Sequence, residues 1–186
     1  IASATAVKER LMKLLESARA HDPDALGRLM EREVFSYADV PYTIKPYEQI
    51  LKDPHDTIMY DKARGKRVVE RIRSTGADGR LLADDDGGVY HVSLAEKLLV
   101  PALSKLSSLV VDGGIWLNTQ RPEWNDANNA LVGNGLSMVT LYYLRRYLAF
   151  CGGLFAEAGN GALRISGEVA QWLGGVLRVL ESERGI

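Results

Sequence analysis

The chain has 186 residues, 46% of them hydrophobic and 25% charged, with a formal net charge of −1. That length fits one domain with a sizeable core, and the composition excludes disordered and collagen-like classes. Near-neutrality gives no general attraction to nucleic acid, and no run reaches the roughly 20 apolar residues of a membrane-spanning helix, so neither a nucleic-acid nor a membrane partner is expected.

Val7, Leu11, Leu14, Leu15 and Ala18 recur at helical spacing among Lys8, Glu9, Arg10 and Lys13, which predicts an amphipathic first helix. Asp22-Pro23 opens a second, running to about Glu33 with Leu26, Leu29 and Met30 inward. From Phe35 to Asp56 the aromatics and Pro41, Pro46 and Pro54 break any long period, so irregular structure is expected, with a short helical turn at Tyr47 to Leu51. A third helix, about Tyr60 to Ser74, ends near Gly76. Its basic run Lys62 to Arg73 includes Glu70 and reads as a solvated helix face. Turn signals in Asp78 to Val92 predict a hairpin.

Ser93-Leu94-Ala95-Glu96 has the form of a capping box, opening a helix to about Leu109 that Pro101 is expected to kink or break. Asp112-Gly113-Gly114 predicts a turn, Ile115-Trp116-Leu117 a short extended piece, and Gly133-Asn134-Gly135 another turn. Leu136 to Phe155 is apolar nearly all round, the pattern of a helix buried on most faces, with Arg145 and Arg146 the exceptions. Ser166 is expected to cap a last helix to about Glu183 with its stripe at Val169, Trp172, Leu173, Val176, Leu177 and Leu180. The fold expected is mainly α, with short strand or hairpin segments near 78–92 and 112–118.

A single cysteine, Cys151, excludes an intrachain disulfide and a cysteine-based metal cluster. A reducing compartment is the default, and the N-terminus lacks the basic-then-apolar order of a secretory signal, so a cytoplasmic location is expected. His21, His55 and His91 are isolated in sequence and read as surface or packing residues. The paired glycines lack the lysine of a phosphate loop and the spacing of a dinucleotide fold. Glu123, Asp126, Asn128 and Asn129 do not follow the order of a calcium loop, and no serine-histidine-aspartate arrangement is recognisable. No metal site and no cofactor is expected.

The densest polar stretch, Arg121 to Asn129, reads RPEWNDANN and lies between the extended piece and the long apolar helix. A carboxylate beside a tryptophan, with amides around it, holds the parts of a sugar site: an aromatic face for the ring, amides for hydroxyls and an acid for the glycosidic oxygen. Packing against an indole face disfavours a carboxylate's charged form, which suits a general acid. The same residues are also common turn formers, so a loop brace is the competing reading.

Trp124-Asn125-Asp126, followed by Asn129 and Val132-Gly133, resembles the DWNDGMNRVG-type motif of the cellobiose and chitobiose phosphorylases, inverting enzymes on an (α/α)6 barrel. The resemblance spans about twenty residues, including the preceding DGGIWLN. It implies Asp126 as general acid and Trp124 as a wall of the sugar pocket, with Glu123, Asn125, Asn129 and Arg121 as further substrate-binding candidates. Glu123 stands where the family has aspartate, Pro122 where it has glycine, and Ala127-Asn128 where it has Gly-Met. The implied function is a glycoside phosphorylase or an inverting glycoside hydrolase acting on oligosaccharides. Inorganic phosphate is co-substrate in the first case. In the second, a carboxylate such as Glu157 or Glu168 activates water.

An (α/α)6 barrel needs twelve helices, which with their connections take roughly 200 residues at the least. The sequence predicts six or seven and opens on Ile1 rather than methionine. The expectation is therefore one helical domain over 1–186, a fragment of a longer polypeptide, completed by the remainder of that chain or by a homo-oligomer partner. A non-catalytic helical module for protein interaction or assembly is the alternative.

Overall fold

The computed structural model describes Lys13, Glu16, Ser17, Ala20, Asp22 and residues 24–118, 132–159 and 163–183. Among them are six α-helices and two small antiparallel sheets, so the chain is mainly helical. Lys13, Glu16, Ser17 and Ala20 are helical and exposed, at the spacing of one solvent-facing side of a helix.

In chain order, α1 (Ala25–Glu31) precedes a ribbon in which β1 (Tyr42–Ile44) pairs with β2 (Ile58–Tyr60) around α2 (Tyr47–Lys52). Then come α3 (Lys62–Thr75), a 3-10 turn (Gly76–Arg80) and α4 (Leu94–Leu106). The second sheet has the order β3 (Leu109–Val110), β4 (Gly114–Trp116), β5 (Leu136–Ser137), and α5 (Met138–Glu157) and α6 (Gly167–Ser182) complete the described fold.

Local chemistry sets several helix starts. Asp61 accepts a bond from the Arg64 amide at 2.9 Å, and the hydroxyls of Ser93 and Ser137 accept from Glu96 and Thr140, each at 3.1 Å. The apolar residues collect around α4. On one side Leu26 and Met30 of α1 meet Leu154 of α5, with Leu94 and Leu98 packed against them. On the other, Ala102 of α4 meets Ile115 of β4 and Leu144 of α5.

Several expectations need correction. β1 falls where irregular structure was expected, and β2 ends on Tyr60, where the third helix was expected to begin; β1 is exposed along its whole length, so no alternation of apolar and polar residues announces it. The expected hairpin over 78–92 is present in a shorter form, with an Ala83–Val89 bridge flanked by bonds from the Asp84 amide to the Gly88 carbonyl and from the Tyr90 amide to the Leu82 carbonyl, and its first part is the 3-10 turn. Its tip is an Asp84 turn, whose side chain accepts from the amides of Asp86 and Gly88. Helix α4 runs through Pro101 without a break, and Ser166 makes no side-chain cap. Ser93 caps as expected, but the Glu96 carboxylate does not complete a reciprocal box: it binds Tyr37 and Ser166 instead. Helix α5 is not buried on most faces. Leu144, Cys151 and Leu154 face inward, while Val139, Tyr142 and Tyr143 are exposed.

The basic run on α3 is partly structural. Arg64 Nε and Arg71 Nη2 each reach the buried Asp39 carboxylate at 2.5 Å, fastening α3 to the segment ahead of β1. Burial alone would push the Asp39 carboxyl up, but hydrogen bonds and charge from Arg71 and Arg64 outweigh it and hold it below the usual carboxylate range. A carboxyl depressed in the folded state contributes stability above its unfolded pKa of about 3.9, and that contribution disappears as pH falls through the lower folded value. Asp39→Asn is expected to cost about 2 kcal/mol at neutral pH, short of a fully enclosed pair because both arginines reach water. Urea midpoints measured from neutral to strongly acidic pH should show wild type and variant converging at the acid end.

Candidate functional site

The connection from Thr119 to Leu131 lies outside the described residues, and with it Arg121, Glu123, Trp124, Asn125, Asp126 and Asn129. What the structure gives is the stem that carries them. β4 and β5 pair antiparallel, Ile115 opposite Ser137 and Trp116 opposite Leu136. Beyond that ladder the Leu117 amide donates to the Gly135 carbonyl at 3.0 Å, and the Gly133 amide donates to the Leu117 carbonyl at 2.7 Å. The described chain on either side of the polar stretch, Leu117 before it and Gly133 and Gly135 after it, is therefore joined by main-chain bonds.

Side chains lock the stem. The Trp116 indole N–H donates to the Gly133 carbonyl at 3.2 Å, and the Tyr47 ring meets the Trp116 ring edge to face, with centroids 5.2 Å apart. Ile50 of α2 is almost wholly buried, and Pro54 lies against Gly133. Gly133 has φ of +76°, a left-handed conformation that glycine adopts at little cost. On the β4 side, the Asn118 amide donates to the Ser108 hydroxyl at 3.4 Å. Val132 is buried, so the returning chain is seated where it re-enters the sheet.

Sequence reasoning read Trp116 only as part of an extended piece and Gly133 only as punctuation. It also missed Tyr47, Ile50 and Pro54 as their partners. The one usable signal was a helical turn, Tyr47 to Leu51, ending three residues before Pro54. Nothing in that sequence shows which distant segment it will wall.

Other chemistry-bearing side chains serve as braces. His55 and His91 are exposed, as expected, and so are Glu157 and Glu168. Lys97 donates to the Ser36 carbonyl and lies 4.1 Å from the Tyr37 ring centroid, and burial pushes its ammonium pKa down. The Tyr37 hydroxyl is pushed up by burial and by the Glu96 carboxylate it bonds. Burial pushes the Cys151 thiol up too, against the lowering effect of the Tyr147 hydroxyl, which leaves it a poor nucleophile. Among the described residues no cluster of three or more histidine, cysteine, aspartate or glutamate side chains is placed to hold a metal ion, and no helix is long and apolar enough to cross a membrane. A search of protein families finds no matching model, and a search of curated proteins finds no significant match.

Two glycines separate strain from crowding. A Cβ on Gly133 would meet Pro54 Cβ at 2.7 Å as well as adopting a left-handed backbone, whereas Gly87, with φ of +84°, has nothing within 4 Å. Gly87→Ala should cost about 1–2 kcal/mol through conformation alone. Gly133→Ala should cost roughly 1–3 kcal/mol more through overpacking. Chemical denaturation of the two variants checks the difference. Equal costs would mean that Pro54 gives way freely and does not wall the stem.

Proposed function

We propose that this chain is a carbohydrate-active protein, a glycoside phosphorylase or an inverting glycoside hydrolase acting on oligosaccharides, with Asp126 as the general acid. The observation that carries the reading is the order Trp124-Asn125-Asp126, with Asn129 and Val132-Gly133 behind it. The stem supports it, since a general acid works only if its carboxyl is held at hydrogen-bond distance from the leaving oxygen. A connection whose two ends are fastened by Leu117, Gly133, Gly135 and the Trp116 indole restricts where such a carboxyl can go.

On this reading Trp124 supplies the stacking face for a pyranose ring and the apolar wall that keeps the acid protonated. Asn125, Asn129, Glu123 and Arg121 bind sugar hydroxyls. Departure of the leaving group takes the Asp126 proton, and the anomeric carbon is attacked from the opposite face by phosphate or by water. The chain is then one helical domain of an (α/α)6-type barrel, whose further helices come from the rest of a longer chain or from a homo-oligomer partner. The second reading, a non-catalytic helical module for interaction or assembly, draws on the uncovered outer face of α5.

Asp126→Asn, made in the protein that shows turnover, should lower the rate on a glycoside with a poor leaving group by about 10²–10⁴. A substrate with an activated leaving group needs little protonation and should lose much less. The melting temperature should stay nearly constant, within about 0.5 kcal/mol of stability, since Asp126→Asn keeps the side chain's size and shape. Equal loss on both substrates, or unfolding without selective loss, would make Asp126 a loop brace and favour the helical-module reading.

A further inference from the structure

The outer face of α5 does not end with the helix. Met138 and Leu141 share an open hollow of about 470 Å³ with Val110 of β3, Val111 of the β3–β4 turn and Leu180 of α6, and the acids Asp112 and Glu183 also line it. Val110, Val111, Met138, Val139, Tyr142 and Tyr143 are each between 42% and 65% exposed. Val110, Val111 and Met138 line the hollow itself, Tyr142 follows Met138 one turn along α5, and Val139 and Tyr143 extend the exposed apolar surface around the same helix. Monomeric proteins rarely show a contiguous apolar patch larger than a few hundred Å², and a standard interface uses about 800 Å² per partner.

The charges around the patch identify what fits it. Arg145 lies seven residues after Met138, on the same stripe of α5 and roughly 10 Å further along the axis. Arg145, Asp112 and Glu183 are exposed, and none makes an ion pair among the described residues. One end of the patch is thus acidic and the other basic, with Tyr142 near the midpoint. We propose that this face docks a second copy of the same chain, α5 lying antiparallel to its partner's α5 across a two-fold axis near Tyr142. That symmetry sets each Arg145 opposite the partner's Met138, within reach of its Asp112 and Glu183, and brings the Tyr142 rings together at the axis. A two-fold interface must be self-complementary, and a patch with opposite charges at its two ends meets that condition. The inference does not depend on the sugar reading.

Sedimentation of the 186-residue chain from about 1 to 100 µM, a range that brackets micromolar association, should show a concentration-dependent dimer. Arg145→Glu should raise its dissociation constant by about tenfold or more, and Glu183→Arg should do the same. The double variant Arg145→Glu/Glu183→Arg should bring association back, since each exchanged charge meets its complement on the partner. Tyr142→Lys gives an independent break at the axis, and far-UV circular dichroism confirms that each variant keeps its helix content. A monomer throughout the range, an open series of higher oligomers, a dimer indifferent to both Arg145→Glu and Tyr142→Lys, or a double variant no better than the singles would overturn the proposal.

Discussion

A buried carboxylate holds three distant segments together. Glu96 is 2% exposed, in the first turn of α4, and its two oxygens face in different directions. Oε2 accepts the backbone N–H of Ser166 at 2.6 Å and Oε1 accepts the Tyr37 hydroxyl at 3.2 Å. One residue-turn earlier, the Ser93 hydroxyl accepts from the Glu96 amide and donates to the Arg164 carbonyl at 2.6 Å. The start of α6 and the segment before β1 are therefore fastened to the same helix end. An enclosed carboxylate is costly unless its lone pairs are met, and here they are met by a backbone donor, a phenol and the positive end of the α4 dipole. Among the described residues no buried side-chain nitrogen or oxygen lacks a partner.

Once α4 is fixed in this way, the rest of the architecture follows from its faces. Leu94 and Leu98 meet α1 and α5, and Ala102 and Leu106 meet β4 and α5 through Ile115 and Leu144. The Tyr147 hydroxyl donates to the Leu98 carbonyl at 2.8 Å, tying α5 to α4 between those two clusters. β4 is placed by α4, β5 is placed by β4, and the stem of the polar hairpin inherits that position. α2, through Tyr47 and Ile50, and Pro54 just beyond it close the other side.

What could be read in the sequence was local. Ser93 caps a helix by bonding the residue three positions on, so its side chain and spacing suffice to announce it. Glu96 shows where that reading stops: the residue type and spacing fit a reciprocal box, but its partners are 59 and 70 residues away, and only packing reveals them. The β1–β2 ribbon was hidden because its strands are three residues each and largely exposed, with only Ile58 partly covered. For α5, apolar composition says that a face needs cover, not that its own chain covers it. The polar stretch was legible as an order of residues. Its closed stem was not, because the bonds of Leu117, Gly133 and Gly135 are main-chain bonds that no side-chain pattern encodes.

The stem and the uncovered helix are mechanically one piece. β5 passes into α5 without a linker: Leu136 pairs with Trp116, Ser137 caps the helix, and Met138 begins it. Met138 also lies against Gly114 of β4, while Leu136 lies against Gly113, so the first turn of α5 rests on the same strand that starts the hairpin. Any partner that covers Met138 and Leu141 therefore bears on β4 and β5, two residues from the Trp116 ring. Fixing that first turn limits how far the β4–β5 ladder can open, because a strand that moves must carry the capped helix start with it. The surface that invites association and the hairpin that carries the polar stretch are thus adjacent by chain connectivity.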